Sequence, residues 1–144
     1  MTKRDTIRPS VALREHVSRT NPLRRVARKT LRLMNERRVL AVHTQASGRP
    51  AERLLWVAGD RGVHRWRGGP AWDADTPVDY HLFPWERVGP IDVNITFAVP
   101  RFEIWHVSVR IDVLGLHHES DGSKGKMPTS LGFARACIRM TSRH

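Results

Sequence analysis

The sequence predicts a mainly β domain of the α+β class, an antiparallel β sandwich or small barrel with one or two amphipathic helices at its N-terminus. Three observations support this prediction. Apolar residues recur at helical spacing before residue 38, they alternate with polar residues afterwards, and segments with Gly and Pro separate the alternating runs. We therefore divide the chain into a basic helical arm, residues 1–38, and a β-rich domain, residues 39–144.

Length and composition are those of one ordinary globular domain. The 144 residues are 40% hydrophobic and include five Trp, which is enough apolar material for a single core. No apolar run reaches the roughly 18 residues that a membrane helix needs, and no signal-peptide core follows the basic start. We expect a chain of this kind to be soluble and, as written, cytoplasmic.

Two helices are predicted in the arm. Residues 11–19 form a short helix with a loose apolar pattern. A better helix begins at Asn21-Pro22, because Asn can cap a helix and Pro fits its first turn. The apolar residues of this second helix recur every three or four positions, at Leu23, Val26, Ala27, Leu31 and Met34.

Beyond the arm, the sequence predicts strands and turns. Four runs have strand character, namely 39–44, 53–58, 62–66 and 78–83. Gly59-Asp60-Arg61-Gly62 predicts a hairpin turn between the second and third runs. Residues 91–99 alternate most clearly and predict a half-buried strand. A further strand over 102–113 changes phase at Ile104-Trp105, which predicts a β-bulge.

The formal charge of +11 is concentrated in the arm. Residues 1–38 carry twelve Lys/Arg and three acids, whereas the rest carries thirteen and eleven. Such an excess attracts polyanions, namely nucleic acid, anionic lipid or an anionic cell-wall polymer. The alternative is that these charged side chains only form the solvent-exposed face of a helix. The candidate polyanion-binding residues lie on the second helix: Arg24, Arg25, Arg28, Lys29 and Arg32. Candidate stacking platforms for bases are Trp66, Trp72 and Trp85.

The single cysteine, Cys137, cannot form an intramolecular disulfide. A cysteine attacks acyl groups as a thiolate and needs a nearby imidazole as base, for which His117 and His118 are candidates. The alternative is a small buried hydrophobic residue. Together with Glu119 and Asp121 these residues are of types that bind metals. However, adjacent histidines on a strand point in opposite directions, and no metal site is predicted.

Four short motifs follow one another in the chain: Thr76-Pro77-Val78-Asp79-Tyr80-His81-Leu82, Val99-Pro100-Arg101-Phe102, Gly115-Leu116-His117 and Cys137-Ile138-Arg139-Met140. In order and rough spacing they resemble the L,D-transpeptidase family of bacterial peptidoglycan cross-linking enzymes. The resemblance implies a cysteine transferase that acts on peptidoglycan stem peptides and needs no cofactor. It implies Cys137 as nucleophile, His117 as its base, and Arg139 as a residue that shapes the site or meets a substrate carboxylate.

The chain departs from that family's pattern near the nucleophile. Ala134-Arg135-Ala136 stands where the family has Ser-His-Gly, and His118 follows His117 in place of Gly. Asp79 replaces the glycine of the Thr-Pro motif. The resemblance therefore implies a divergent relative, and whether it would be active stays open.

A second set of motifs lies earlier in the chain: Asn21-Pro22-Leu23, Leu31-Arg32-Leu33, Val42-His43-Thr44, Ser47-Gly48-Arg49-Pro50, Leu55-Trp56-Val57 and Gly68-Gly69-Pro70-Ala71-Trp72. These motifs are similar to those of deazaflavin-dependent nitroreductase-like split-barrel proteins. That resemblance implies an oxidoreductase that binds a flavin or deazaflavin, with Arg49 as the phosphate contact. Gln45-Ala46 stands where the family has Gly-Arg. Three functions are therefore left open: a cysteine transferase, a cofactor-binding oxidoreductase and a nucleic-acid-binding module.

Overall fold

The computed structural model describes residues 8–17, 22–46, 52–68, 77–101, 103–121 and 127–143. Within these residues the fold is α+β, as predicted, with two antiparallel sheets of four and three strands and no closed barrel. Two helices precede the first sheet and one follows the second. The chain divides into two compact units, Met1–Phe83 and Pro84–His144, so the predicted boundary after residue 38 falls inside the first unit.

The first unit combines two helices with the four-stranded sheet. Its elements are α1 (Pro9–His16), α2 (Pro22–Leu33), β1 (Val39–Ala46), β2 (Arg53–Gly59), β3 (Gly62–Gly68) and β4 (Asp79–Pro84). The strands lie in the order β1-β2-β3-β4. Both helices and all four strands predicted for this part are confirmed, with bounds that differ by a few residues.

The predicted hairpin joins β2 to β3. Ala58 pairs with Val63, so the chain reverses over the short segment that contains Asp60 and Arg61. Gly62 follows this turn with a φ of 154°, a backbone conformation that residues with a β-carbon rarely adopt. Glycine at this position therefore allows the tight reversal.

One face of the first sheet is covered by α1 and α2. Leu23, Ala27 and Leu31 of α2 are each at most 1% exposed and belong to the same core as Val57 and Trp66. Burying a leucine side chain contributes about 1.5–3 kcal/mol, so this stripe fixes α2 on the sheet. The prediction that Val26 belongs to the buried stripe is wrong, since Val26 is 38% exposed.

The C-terminus of α2 is a Schellman motif. Asn35 adopts the left-handed conformation with a φ of 58°. Its N–H donates to the Arg32 carbonyl at 3.0 Å, and the Glu36 N–H donates to the Leu31 carbonyl at 2.8 Å. The reversal turns Glu36 off the helix and into the interior of the unit, where only 4% of it is exposed.

The second unit contains the three-stranded sheet and one helix. Its elements are β5 (Asp92–Ala98), β6 (Glu103–Ile111), β7 (Leu116–Asp121) and α3 (Thr129–Thr141), with 3₁₀ turns at Trp85–Arg87 and Asp112–Leu114. The strands lie in the order β5-β6-β7. β7 and α3 occupy a stretch for which the sequence predicted no element.

The pairing of β5 with β6 confirms the predicted β-bulge. Thr96 pairs with His106 whereas Phe97 pairs with Ile104, which leaves Trp105 as the extra residue. The prediction that β5 is half-buried is wrong, because Ile95 and Phe97 are 37% and 52% exposed.

Candidate functional site

Cys137, the predicted nucleophile, lies on the buried side of α3 and is 0% exposed. Burial raises the pKa of its thiol, because an apolar environment disfavours the charged thiolate. Nucleophilic cysteines are partly exposed and have lowered pKa values. The environment of Cys137 is that of a small buried hydrophobic residue.

His117 and His118 are neighbours on β7, so their side chains leave the sheet on opposite faces. His118 faces α3, where its Nδ1 lies 3.0 Å from Ser130 Oγ. Ser130 is two helical turns from Cys137, on the same side of α3. His117 is exposed and lies on the other face of the sheet. The strand therefore turns the predicted base away from the helix that carries the predicted nucleophile.

The remaining residues of the two resemblances give little further support. Arg139 is half-buried on α3. Arg49, Thr76 and Phe102 lie outside the described residues. The transferase and oxidoreductase functions stay predictions.

Four of the five predicted polyanion-binding residues share one strip on α2. Arg25, Arg28, Lys29 and Arg32 are all exposed, and at 3.6 residues per turn they fall within an arc of about 100°. The buried stripe of Leu23, Ala27 and Leu31 lies on the opposite side of the helix. No acidic residue is present in α2, and none of the four forms an ion pair with a carboxylate of the described residues. We call these four residues the basic strip.

Arg24 is separated from the strip. It is half-buried, and its guanidinium donates to the Val17 carbonyl oxygen at 2.5 Å. This hydrogen bond ties the first turn of α2 to the end of α1. Arg24 therefore has a structural role in holding the two helices together.

A cleft lies between the start of α1 and the end of α2. It has a volume of about 410 Å³. Four arginines line it, and two of them belong to the basic strip: Arg8, Arg28, Arg32 and Arg37. Arg8 and Arg37 are exposed residues that the sequence did not single out. Their charge was visible in the sequence, but the turn that brings them to Arg28 and Arg32 was not.

Glu36 is the acidic residue of the cleft lining, and its carboxylate forms hydrogen bonds with the β2–β3 hairpin. Its side chain is 1% exposed. Oε2 accepts the Asp60 N–H at 3.1 Å, and Oε1 accepts the Arg61 N–H at 2.7 Å. Oε1 also lies 3.1 Å from His64 Nε2. These bonds anchor the end of α2 to the turn of the β2–β3 hairpin.

His64 extends this network to Tyr80. The His64 Nδ1 lies 2.7 Å from the Tyr80 hydroxyl. An imidazole that carries its proton on Nε2 satisfies both contacts, since it donates to Glu36 and accepts from Tyr80. Burial, followed by the charge of Glu36, raises the pKa of Tyr80 to about 12. The tyrosine is therefore held in its neutral form, and the network acts as a structural connection.

The predicted stacking platforms are not supported. Trp66 and Trp85 are 0% and 2% exposed, so the prediction is wrong for both. Trp72 lies outside the described residues. Among the residues described, no cluster of three or more His, Cys, Asp or Glu side chains could hold a metal ion.

No helix in the described part of the chain is long and apolar enough to cross a membrane. The chain matches no protein-family model, no curated protein and no solved structure. The geometry of the basic strip and the cleft is therefore the basis for assigning a function.

Proposed function

We propose that this protein binds nucleic acid through the phosphate backbone, with the basic strip of α2 as the contact surface. The observation that carries this proposal is the strip itself: Arg25, Arg28, Lys29 and Arg32 are exposed, adjacent and without a described carboxylate partner. Guanidinium and ammonium groups in this arrangement bind phosphates and release the counterions condensed on them.

The dimensions of the strip suit a phosphate backbone. Seven residue steps separate Arg25 from Arg32, which at 1.5 Å per residue is about 10 Å. One strand of duplex DNA places a phosphate about every 3.4 Å along the helix axis. The strip is therefore longer than the rise between successive phosphates and can contact more than one of them.

Nucleic acid is favoured over a lipid surface because of where the apolar face of α2 lies. A helix that binds a membrane interface inserts its apolar face among the lipids. Here Leu23, Ala27 and Leu31 are buried in the protein's own core, and the exposed apolar residues of α2 are Val26 and Leu33. Two side chains are a small apolar anchor, so affinity for anionic lipid would be mainly electrostatic.

The binding is expected to be largely independent of base sequence. The sequence contains no recognised nucleic-acid motif, and Trp66 and Trp85 are buried. Phosphate contacts position a protein on nucleic acid but do not read bases. Oligonucleotides of different sequence should therefore bind with similar affinity.

Fluorescence anisotropy with labelled oligonucleotides tests the proposal. Arg25→Gln/Lys29→Gln is expected to weaken binding. Arg135→Gln/Arg143→Gln removes the same charge from two exposed positions, one in the middle of α3 and one beyond its end, and is expected to have a much smaller effect. Equal weakening by both pairs would mean attraction by net charge alone. Binding to phosphatidylserine vesicles but to no oligonucleotide would assign the strip to membranes instead.

A further inference from the structure

The cleft beside the basic strip differs from the strip in shape. The strip is a convex helix surface, whereas the cleft is a concave space of about 410 Å³ with four arginines in its lining. Arg28 and Arg32 belong to both. A nucleic acid strand bound along the strip would therefore meet Arg8 and Arg37 at one end of its path.

The four arginines of the cleft outnumber its one acidic residue, so the lining keeps a net positive charge. Glu36 also lines the cleft, but its two carboxylate oxygens are held by the Asp60 and Arg61 amides and by His64. That carboxyl group is thus turned to the hairpin. The cleft lining also includes two apolar residues, Leu31 and Pro9.

A terminal phosphate fits these properties better than an internal one. A phosphodiester carries one negative charge and continues into sugars on both sides. A phosphate monoester carries between about 1.5 and 2 charges at neutral pH and offers three acceptor oxygens. Several guanidinium groups converging on one space match such a group, because each forms charge-assisted hydrogen bonds with its oxygens.

We propose that the cleft binds the terminal phosphate of a nucleic acid strand whose backbone follows the basic strip. This inference rests on the proposed function. The last phosphate lies among Arg8, Arg28, Arg32 and Arg37, and the strand leaves the cleft past Arg25 and Lys29. The protein would then prefer phosphorylated strand ends to hydroxyl ends.

The test compares one single-stranded oligonucleotide with a 5′-phosphate, a 3′-phosphate or neither. We expect the wild-type chain to bind a phosphorylated form about tenfold more tightly than the hydroxyl form, as charge-assisted hydrogen bonds imply. Arg8→Gln/Arg37→Gln should abolish the preference, with a smaller loss of affinity for the hydroxyl form than for the phosphorylated form. Arg8 caps α1 without a side-chain hydrogen bond, so its replacement leaves the cap unchanged.

Arg25→Gln/Lys29→Gln is the matched control, since it removes the same charge outside the cleft. It should weaken all three forms alike and keep the preference. Excess inorganic phosphate should abolish the preference in the wild-type chain. Equal affinity for all three forms, or a preference that survives Arg8→Gln/Arg37→Gln, would overturn the inference and leave the proposed function standing. Failure to bind any form would overturn both.

Discussion

The carboxyl group of Glu36 fills the space that a β-carbon on Gly59 would need. Such an atom would lie 2.7 Å from Glu36 Cδ and 2.8 and 2.9 Å from the two oxygens. The two residues lie far apart in the chain, on either side of the contact between the end of α2 and the β2–β3 hairpin. The geometry that presents Arg28, Arg32 and Arg37 therefore depends on a glycine in a strand.

Gly59→Ala is expected to destabilise the protein by about 1–3 kcal/mol, since the new methyl group displaces the Glu36 carboxylate from the Asp60 and Arg61 N–H groups and from His64. Urea denaturation measures this change. Gly132→Ala is the control, because a β-carbon there meets only Met127 Cε at 3.6 Å. In a helix it should stabilise by about 0.5–1 kcal/mol. In a Glu36→Ala background the cost of Gly59→Ala should largely disappear; an unchanged cost would refute the steric explanation.

Tyr80 is the single tyrosine of the chain, so absorbance near 295 nm reports its ionisation alone. We expect a pKa of about 12 in the folded protein, because burial and the Glu36 charge both disfavour the phenolate. Glu36→Gln should move this pKa towards 10. Since the unfolded chain loses this proton near pH 10.0, the contribution of Tyr80 to stability is lost as the pH rises from 10 towards 12. A folded-state pKa near 10 would contradict the network described for Glu36, His64 and Tyr80.

His118 should make the protein less stable in mild acid. Burial lowers its pKa below 6.5, so the unfolded chain takes up this proton at a higher pH than the folded chain. Its effect on stability is absent well above pH 6.5 and grows more unfavourable as the pH falls from 6.5 towards the lowered folded-state pKa. The free energy of unfolding, measured between neutral pH and pH 5, should fall more steeply for wild type than for His118→Asn. Equal slopes would contradict the burial of His118 against Ser130.

The thiol of Cys137 is expected to be unreactive in the native protein. It is 0% exposed and its pKa is raised by burial, so both access and thiolate formation are suppressed. Ellman's reagent should label one thiol per chain in denaturant and react only very slowly without it. Rapid native labelling at neutral pH would restore the cysteine transferase as the leading interpretation.

The elements of the first unit could be predicted because their signals are local. Helical spacing marked α2, alternation marked β1, and Gly59-Asp60-Arg61-Gly62 marked the hairpin. The phase change at Ile104-Trp105 likewise located the bulge. Such patterns depend only on residues close in sequence, and the structure follows them closely.

In the C-terminal stretch, a short motif suggested a catalytic site, whereas the spacing of the apolar residues indicated a helix. Leu131, Ala134, Cys137 and Met140 recur at helical spacing and are buried along α3. Because Cys137-Ile138-Arg139-Met140 is similar to a catalytic motif, Cys137 is predicted as a nucleophile and no helix is predicted there. Residue types suggested a chemistry, whereas periodicity indicated a buried helical face.

The cleft could be predicted only in part. The charge of the arm and the candidates on α2 were evident from composition, but the grouping of Arg8 and Arg37 with Arg28 and Arg32 depends on the turn at Asn35 and on the packing of α1. Glu36 was one acid among many basic residues, and nothing in its neighbourhood showed that its partners lie in a distant hairpin.

The salt dependence of oligonucleotide binding tests the central claim most directly. For duplex DNA the slope of log K against log salt concentration changes by about 0.9 for each phosphate contact. Arg25→Gln/Lys29→Gln should therefore make the slope about 1.8 less negative than in wild type, and Arg135→Gln/Arg143→Gln should leave it nearly unchanged. A slope unaffected by the first pair, or changed equally by both, would contradict the assignment of the basic strip of α2 as the phosphate-binding surface.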